Sequence, residues 1–446
     1  MSRKNDASAR SAFEEHRQEY NRLYKGKIGE KLKKAAPYNF FLTHVKEHPL
    51  TQNEDLSISF PEMLDPCLGK LIHTVHVNFM VELGWLLAQH LMAGDTNPSI
   101  TLLYDQIDSP NEISPRIKHV KITPKSAFGH HHTKMSIFFY DDRSVRFAIY
   151  TANLIESDWE NRTQGVWLSP KCPYLGDDVP INYGESDTLF KRDMLQYLKS
   201  YNKPELKLWI ARIQRVDVSE IKVCLVASVP GEVTDMDVGY KKMDVLLNRY
   251  GCPEQDDWDL VAQCSSIGSL GDNPNRWLFY KFTPSLKSKG EFKLIYPSER
   301  NVEFGYRGSE GCLPYQSSTH TKQEWLNKYL YKWKSDSRYR TRAIPHLKSY
   351  AKIDPRGEKL GWFLLTSANL SKAAWGMPWK SGKFNCLSHE LGVLFLPYFF
   401  TSQGYFNVFK GGRPSTDVGS KSFPVPYDLP LEPYENDDRL YLYDRV

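Results

Sequence analysis

A short motif whose side chains suit chemistry at a phosphorus atom occurs twice in this 446-residue chain, in copies more than 200 residues apart. Each copy reads His-x-Lys, beginning at His132 and at His346, and each is followed by an Ala-Asn-Leu sequence that contains Asn153 or Asn369. An imidazole can attack phosphorus or donate a proton near neutral pH. Ammonium and amide groups can stabilise the charge on the non-bridging oxygens. Two such sets indicate a phosphoryl-transfer site that needs no metal and no cofactor.

The two motifs belong to a longer internal repeat over residues 132–159 and 346–375. In each copy, apolar strand-like residues follow the His-x-Lys motif, and a turn and a second apolar run lead to the asparagine. A tryptophan then stands six residues after the asparagine in both copies. Related apolar stretches follow at 164–170 and 390–397, and they predict a third matching strand in each half.

The turns inside the repeat predict two β-hairpins. Residues 141–144 and 354–357 are rich in Asp, Ser, Pro and Gly, which favour tight turns. An antiparallel hairpin places the start of its first strand beside the end of its second, and residues i and i+2 of a strand share a face. The His and Lys of each motif should therefore point together toward the asparagine of the same copy.

The rest of the chain alternates helix-like and strand-like segments, which indicates the α/β class. Apolar residues that recur every three or four positions from Leu64 to Leu86 predict a long helix between Pro61 and Met92. Two similar α/β halves should join near residues 215–220 and contribute one motif each to a shared cleft. Further helices are expected over 188–201, 240–250 and 321–333, and further strands over 100–104, 120–123, 221–227 and 292–296.

Composition excludes several classes of protein. No run approaches the roughly 18 apolar residues of a membrane helix, and the polar N-terminus does not resemble a secretory signal, so no membrane partner is expected. The 7 cysteines are scattered without a CxxC pair, which argues against a disulfide framework or a zinc site and for a reducing compartment. The sequence His130-His131-His132 does not predict a metal site either, because consecutive strand residues face opposite sides. His131 is expected to support or pack, and Trp159 and Trp375 to lie in the core.

The basic excess of the chain is confined to its N-terminus. Between Met1 and Pro37 there are ten basic and five acidic residues, and their difference equals the net charge of +5 of the whole chain. We expect a solvated or frayed arm here, with contact to DNA or nuclear import as the alternative, weakly signalled by Lys31-Leu32-Lys33-Lys34. Since the remainder is neutral, bulk charge does not establish a nucleic-acid partner.

The paired His-x-Lys motifs with a downstream Ser-Ala-Asn resemble the phospholipase D superfamily. The usual superfamily pattern has an aspartate five residues after the lysine, where this chain has Phe139 and Ile353. That departure is similar to the tyrosyl-DNA phosphodiesterase branch, and the resemblance runs from about Pro37 to Pro430. It is carried by FGHHHTK at Phe128, TQGVWLSP at Thr163, SSIGSLG at Ser265, TSANLSKAAWG at Thr366, ELGVLFLP at Glu390 and FPVPYDLP at Phe423.

The resemblance implies an α/β fold of two similar phospholipase D-like domains, with mixed sheets flanked by helices, packed around a shared cleft. The expected division is a basic arm over 1–36, a first domain over 37–217 and a second over 218–446. It also implies a DNA-repair enzyme that hydrolyses the 3′-phosphotyrosyl bond between DNA and a topoisomerase-derived peptide, or other 3′ adducts, and leaves a 3′-phosphate. The expected partner is a single-stranded or frayed DNA 3′ end that bears a tyrosyl peptide, and the enzyme is expected to be monomeric and nuclear, with the cytoplasm second.

The resemblance also assigns roles to individual residues. His132 would form a covalent phosphohistidine, and His346 would protonate the departing tyrosine and then activate water. Partners would cross between the halves, so that Glu390 orients His132 and Gln164 orients His346. Lys134, Lys348, Asn153 and Asn369 would hold the phosphoryl oxygens, Phe128 would stack on a base, and Ser265, Ser266 and Ser371 would contact the DNA backbone.

Two other functions stay open at this point. One is a different phospholipase D-type hydrolase, acting as a nuclease or on lipid. The other is a protein that binds DNA ends without catalysis.

Overall fold

The fold is seen in a computed structural model that describes residues 2–94, 99–109, 114, 116–124, 126–231, 236–306, 308–379, 383–408 and 422–445. The α-helices are α1 (Ser2–Leu23), α2 (Ile28–Ala35), α3 (Phe60–Met63), α4 (Leu83–Met92), α5 (Glu156–Glu160), α6 (Phe190–Ser200), α7 (Lys207–Gln214), α8 (Gly239–Tyr250), α9 (Thr283–Ser285), α10 (Glu299–Glu303), α11 (Ser317–His320) and α12 (Lys372–Trp375). Short 3₁₀ turns and one π-helical turn, Leu278–Phe282, connect some of these elements.

The strands form two large mixed sheets, one in each half of the chain. The first half contributes β1 (Phe40–Thr43), β2 (Ser57–Ile58), β3 (Leu71–Val81), β4 (Ser99–Ile107), β5 (Ile117–Lys121), β6 (Met135–Tyr140), β7 (Val145–Tyr150) and β8 (Gly165–Leu168). The second half contributes β9 (Cys224–Ser228), β10 (Asp259–Gln263), β11 (Phe292–Ile295), β12 (Leu330–Tyr331), β13 (Ser349–Ile353), β14 (Lys359–Thr366), β15 (Met377–Pro378), β16 (Phe384–Asn385), β17 (Glu390–Phe395) and β18 (Phe406–Asn407).

The two sheets have the same topology over seven strands. The first runs β2-β1-β8-β7-β6-β3-β4-β5, and the second runs β12-β11-β10-β13-β14-β17-β9, with β18 beside β14 and β15 paired separately with β16. In the first sheet, neighbouring strands in the series β8-β7-β6-β3 are antiparallel, and β4 and β5 then follow β3 in parallel. In the second sheet, neighbouring strands in the series β17-β14-β13-β10 are antiparallel, and β11 and β12 then follow β10 in parallel. The α/β class, the mixed sheets and the two similar halves are confirmed, and the repeat extends well beyond the two motifs that revealed it.

The central hairpin strands are apolar throughout because both of their faces are covered. In β6 and β7, Ile137 and Phe147 belong to the layer between the two sheets. Their neighbours Phe138 and Ala148 belong to a second layer on the opposite face. Alternating faces are the ordinary geometry of a strand, and burial of both faces removes the polar alternation that a half-exposed strand would show.

The layer between the sheets is a continuous aromatic and aliphatic core that holds the two halves together. Phe40 of β1 lies 5.4 Å from Phe363 of β14, measured between ring centroids. The sheets approach so closely at Gly165 that a Cβ atom there would lie 2.4 Å from Leu365 of the other sheet. The hairpin ends that carry the motifs are therefore fixed relative to each other by packing.

The long helix predicted between Pro61 and Met92 is wrong over most of its length. This region contains the end of α3, a 3₁₀ turn at Pro66–Leu68 and the eleven-residue strand β3, and its last part is the helix α4. β3 lies in the sheet between β6 and β4, so most of its residues are buried whichever face they occupy. Buried positions on both faces produced spacings of three and four that resemble a helix, while β-branched residues such as Thr74 and Val75 favour the strand.

The other predicted segments are mostly confirmed. Helices α6 and α8 and strands β4, β9 and β11 coincide closely with the expected ranges, and β5 overlaps its range at Val120–Lys121. The helix expected over 321–333 is wrong, because this stretch forms a 3₁₀ segment, Glu324–Tyr329, followed by β12. Leu330 pairs there with Leu294 of β11, so β12 forms an edge strand of the second sheet.

The N-terminal segment differs from the expected solvated arm. Tyr20 is only 2% exposed and its hydroxyl donates to Asp65 at 2.8 Å. Ile28 of α2 is buried in the core layer of the first sheet. The Lys31 ammonium forms a buried ion pair with Glu62 at 2.6 Å. Residues 20–36 are thus an integral part of the first half, and the hydrophobic spacing of α2 would have indicated this.

Each of the 7 cysteines has a free thiol. Within the described ranges, no helix combines the length and the apolar character that a bilayer crossing requires.

Candidate active site

Both predicted hairpins are present and bring each lysine beside the segment that carries its asparagine. β6 pairs with β7 and β13 pairs with β14 in antiparallel register. The Tyr150 N–H donates to the Lys134 carbonyl at 3.2 Å, and the Thr366 N–H donates to the Lys348 carbonyl at 3.1 Å. The asparagine follows three residues later in each copy, at the exit of the second strand.

Backbone hydrogen bonds between the halves bring the two hairpin ends together. The His132 N–H donates to the carbonyl of His389 at 3.0 Å, and the His346 N–H donates to the carbonyl of Thr163 at 2.9 Å. His389 and Thr163 each precede the third strand of their own half. Each His-x-Lys segment is therefore bonded to the residue just before the predicted orienting residue of the opposite half.

The imidazole of His132 is held by the carboxylate of Glu390. Its Nδ1 lies 3.0 Å from Glu390 Oε2, and Ser367 donates its hydroxyl to the same carboxylate at 2.5 Å. A carboxylate at Nδ1 favours a proton there and leaves the Nε2 lone pair available for attack. Burial, followed by the charge of Lys134, lowers the pKa of His132 to about 4, although Glu390 acts in the opposite direction. The ring is therefore neutral and nucleophilic at pH 7.

The imidazole of His346 contacts Gln164, as predicted, and also an aspartate. Its Nδ1 lies 3.0 Å from Gln164 Nε2 and 3.0 Å from Asp158 Oδ2. Thr151 donates to the amide oxygen of Gln164 at 2.8 Å, which turns the amide nitrogen toward the ring. Burial lowers the pKa of His346 to about 3, and the negative charge of Asp158 opposes that change. A protonated His346 would donate to Asp158.

The two motif lysines are buried and have no anionic partner among the described residues. Lys134 Nζ donates to the carbonyl of His132 at 2.9 Å, and Lys348 Nζ donates to the carbonyl of His346 at 2.5 Å. Burial and the charge of Lys348 lower the pKa of Lys134 well below its usual value, and burial lowers the pKa of Lys348 to about 8. Two ammonium groups so placed would be stabilised by an anion. Both ammonium charges also lower the pKa of His132, so groups from the two halves act on one site.

The two asparagines are held by different contacts. Asn369 Oδ1 accepts from the backbone N–H groups of Ser265 and Ser266 at 3.2 and 3.0 Å, which leaves its amide N–H groups for another acceptor. The backbone N–H of Asn153 donates to Asp158 at 2.5 Å, while its side-chain oxygen is buried and makes no hydrogen bond within the described structure. Fixed amides beside two ammonium groups and two imidazoles can bind a phosphodiester and transfer its phosphoryl group.

Comparison with known proteins agrees with this geometry. A profile described as tyrosyl-DNA phosphodiesterase matches residues 39–435. The chain is 42% identical over 448 residues to tyrosyl-DNA phosphodiesterase 1 of Drosophila melanogaster, an alignment that covers 95% of this chain and 76% of that protein. It is 33% identical over 414 residues to a probable tyrosyl-DNA phosphodiesterase of Caenorhabditis elegans, with 86% and 84% covered. The chain belongs to the tyrosyl-DNA phosphodiesterase family.

A solved structure has the same fold. The crystal structure of the yeast tyrosyl-DNA phosphodiesterase matches with a TM-score of 0.68 at 22% identity, and the match covers 91% of this chain and 100% of that one. The phospholipase D-like fold expected from the sequence is therefore confirmed, and the family is one of phosphodiester hydrolases.

The residues that the family resemblance places on DNA occupy different environments. Phe128 is 77% exposed, as a base-stacking side chain would have to be. Ser265 is only 1% exposed, so its place in the structure is to hold Asn369 rather than to face solvent. Ser266 is half-buried, and the half-buried Ser371 accepts from Ala374 N at 3.1 Å as the N-cap of α12.

Asp158 is a close neighbour of a motif histidine that sequence reasoning missed. It is buried, contacts His346, and pairs with Arg162 one helical turn later. The repeat gives no signal for it. The position five residues after the asparagine is Asp158 in the first copy and Ala374 in the second, and residues 155–158 differ from residues 371–374 at every position.

His131 and the repeated tryptophans take the supporting places expected of them. The ring of the buried His131 lies 3.1 Å from the Tyr201 hydroxyl, while the exposed His130 faces Phe79. Both tryptophans are buried. Trp159 donates its indole N–H to the Asn153 carbonyl at 2.9 Å, and Trp375 donates its own to Tyr350 at 3.0 Å.

Proposed function

We propose that this chain hydrolyses the phosphodiester that joins a DNA 3′ end to a tyrosyl peptide, through a covalent phosphohistidine on His132. The observation that carries the proposal is the pair of imidazoles, one from each half, around two buried ammonium groups that have no anionic partner in the described structure. Membership of the tyrosyl-DNA phosphodiesterase family supports the substrate, and a role in DNA repair follows from the family.

In the first step, Nε2 of His132 attacks phosphorus and forms a P–N bond. The bond between phosphorus and the tyrosine oxygen breaks, and His346 transfers its proton to that oxygen. Lys134 and Lys348 neutralise charge on the non-bridging oxygens as the transition state forms. Because the bound phosphodiester is itself an anion, it offsets the lysine charges that lower the pKa of His346. We therefore expect His346 to be protonated more readily in the complex than in the empty site.

In the second step, water attacks the phosphohistidine. His346, now neutral, accepts a proton from the water, the P–N bond breaks, and His132 regains its lone pair. The product is a DNA 3′-phosphate, and the protonation states of both histidines are restored. Asp158 favours the protonated form of His346 through its negative charge, so it assists whenever this ring has to hold a proton.

We further propose that the DNA is single-stranded or frayed at its 3′ end. Phe128 is exposed beside the His-x-Lys segment, and an aromatic ring can stack on any base without reading sequence. The neutral charge of the chain beyond its N-terminus favours a grip on a few nucleotides rather than tight duplex binding. We also propose that the enzyme is a monomer, which light scattering would test. We propose that it is nuclear, which imaging of a fluorescent fusion would test.

The direct test is incubation of the full chain with a single-stranded oligonucleotide that bears a 3′-phosphotyrosine, in excess EDTA. We expect release of tyrosine and a 3′-phosphate product, because two lysines take the role of a metal clamp. The control is His130→Ala, which alters the exposed neighbour and should retain activity, beside His132→Ala, which should not. Turnover of phosphatidylcholine instead of the oligonucleotide, a requirement for Mg²⁺, or binding without any cleavage would each overturn the proposal.

A further inference from the structure

A cavity of about 590 Å³ lies against the N-terminal helix and is separate from the paired histidines. Its walls come from α1, α4 and α5 and from the segment around Phe60, and none of the eight residues of the proposed catalytic set lines it. Pockets of about 300–1,000 Å³ are typical of small-molecule sites. The volume therefore suits one organic ligand.

Aromatic rings form much of the cavity wall. Trp85 of α4 and Trp159 of α5 lie nearly parallel, with centroids 6.2 Å apart and an angle of 25°. Phe60 lies 5.0 Å from Trp159 and 5.4 Å from Trp85, and Tyr20 and Tyr24 of α1 line the same space. The face of an indole ring attracts cations electrostatically, more strongly than tyrosine or phenylalanine does.

The charged side chains around these rings are predominantly acidic. Lys46 is the lysine of the lining, and it pairs with Glu160 at 2.8 Å. Within the described ranges, the other four lining carboxylates form no ion pair. Two of them accept backbone hydrogen bonds, Glu82 from the Glu156 N–H at 2.9 Å and Asp108 from the Leu83 N–H at 3.0 Å. The five lining carboxylates are Glu19, Glu82, Asp108, Glu156 and Glu160.

A buried histidine adds an unused hydrogen-bonding atom to the lining. His44 is 7% exposed, and its Nε2 makes no hydrogen bond within the described structure, although Glu62 Oε2 lies 3.5 Å away. Burial, together with the charges of Lys31 and Arg340, keeps the pKa of His44 well below its usual value, so the ring adds no positive charge. An N–H donor in the cavity would meet acceptors.

We propose that this cavity binds a small protonated amine with an aromatic or aliphatic body. The indole faces would contact the body and the cation, and the surrounding carboxylates would compensate the charge. The three properties that favour such a ligand are aromatic walls, carboxylates that form no ion pair within the described residues, and a volume of small-molecule size, and all three are independent of the chemistry at His132 and His346. The proposal therefore stands or falls separately from the proposed function.

The test uses 2-phenylethylammonium as the probe, titrated into the full chain by calorimetry at neutral pH and low salt. Its neutral analogue 2-phenylethanol and the anion phenylacetate have nearly the same size and shape. We expect the cation to bind at least about tenfold more tightly than the alcohol, which corresponds to about 1.4 kcal/mol, and phenylacetate to show no saturable binding.

Variants locate the binding site. Trp85→Ala removes one indole wall, and Glu19→Gln removes one exposed carboxylate of α1; each should weaken binding of the cation several-fold. Glu14→Gln, on the same helix but outside the cavity lining, is the matched control and should bind like the parent chain. If Trp85→Ala does not fold, Glu19→Gln alone decides, because its exposed side chain contributes little to stability.

Three results would overturn the inference. They are the absence of saturable binding by 2-phenylethylammonium, equal affinity for the cation and the alcohol, and equal affinity of the Glu14→Gln and Glu19→Gln variants for the cation. The last result would place any binding elsewhere on the molecule.

Discussion

Replacing Asp158 by asparagine tests how much the rate depends on protonation of the leaving group by His346. The substitution keeps the size and shape of the side chain and removes its negative charge. Asp158 Oδ2 lies 3.0 Å from Nδ1 of His346, on the opposite side of the ring from the nitrogen that would face the substrate. The loss should therefore disfavour the protonated ring without displacing it.

The size of the effect follows from that one contact. A hydrogen bond to a charged group contributes about 1.5–3 kcal/mol, and each 1.36 kcal/mol corresponds to about a tenfold change in rate. Release of tyrosine should slow by about 10- to 150-fold, because a phenol with a pKa of about 10 needs a proton to leave. Release of nitrophenol needs no such help, so the first turnover of a 3′-nitrophenyl-phosphate oligonucleotide should change by less than about twofold.

The assay is a rapid-quench single turnover on both substrates. Asp158 also pairs with Arg162, and breaking a buried ion pair destabilises a protein by about 3–5 kcal/mol, so the rates must be normalised to the concentration of active sites. The nitrophenol burst supplies that concentration. The matched control is Glu156→Gln, which removes an exposed carboxylate from the same short helix and should leave both rates unchanged.

The pattern across the two substrates decides the outcome. A loss on the tyrosyl substrate alone supports Asp158 as the residue that positions and charges His346. An equal loss on both substrates would show that the substitution deforms the site as a whole. No loss on either would show that Gln164 alone orients His346 and that Asp158 does not assist it.

Three further predictions concern the lysines, the pH dependence and the N-terminal segment. Lys134→Ala and Lys348→Ala should each lower kcat by about 100-fold or more while KM changes less, as steady-state kinetics can show; a change in KM alone would make them DNA-binding lysines only. On the nitrophenyl substrate, kcat/KM should fall below about pH 4, where His132 becomes protonated and loses its lone pair. It should also fall by about pH 8, where Lys348 loses its charge, and the lowered pKa of Lys134 acts in the same direction; an acid limb near pH 6.5 would contradict the lowered pKa of His132. Deleting residues 1–36 should lower the free energy of unfolding, measured in urea, by about 3 kcal/mol or more, because it leaves Glu62 buried without Lys31. An unchanged urea midpoint would instead show that this segment is a solvated arm.

The hairpins and the site could be predicted because their signals are local and repeated. A turn between two apolar runs specifies an antiparallel pair, and the period of two within a strand then places His132 beside Lys134 on one face. The crossing of Glu390 to His132 and Gln164 to His346 could not be worked out from spacing. It depends on backbone bonds between halves more than 200 residues apart, and only the family resemblance supplied it.

The failures have a common physical cause in tertiary packing. β3 is buried on both faces in the middle of a sheet, so its apolar positions lost the alternation that identifies a strand. The N-terminal segment was judged by its net charge, but the buried Ile28 and the Lys31–Glu62 pair show that a basic helix can still be part of a core. Asp158 was missed because it acts through one contact with the other half and has no counterpart in the second copy of the repeat.

The central claim is the covalent bond to His132, and trapping that intermediate tests it most directly. His346→Ala should release nitrophenol from the 3′-nitrophenyl-phosphate oligonucleotide in a burst of about one per active site and then stall, because the water-activating ring is missing. Mass spectrometry should find an acid-labile DNA adduct on His132, and His132→Ala should give neither burst nor adduct. An adduct on His346 in the His132→Ala protein would reverse the roles, and turnover without an adduct in either variant would mean direct attack by water.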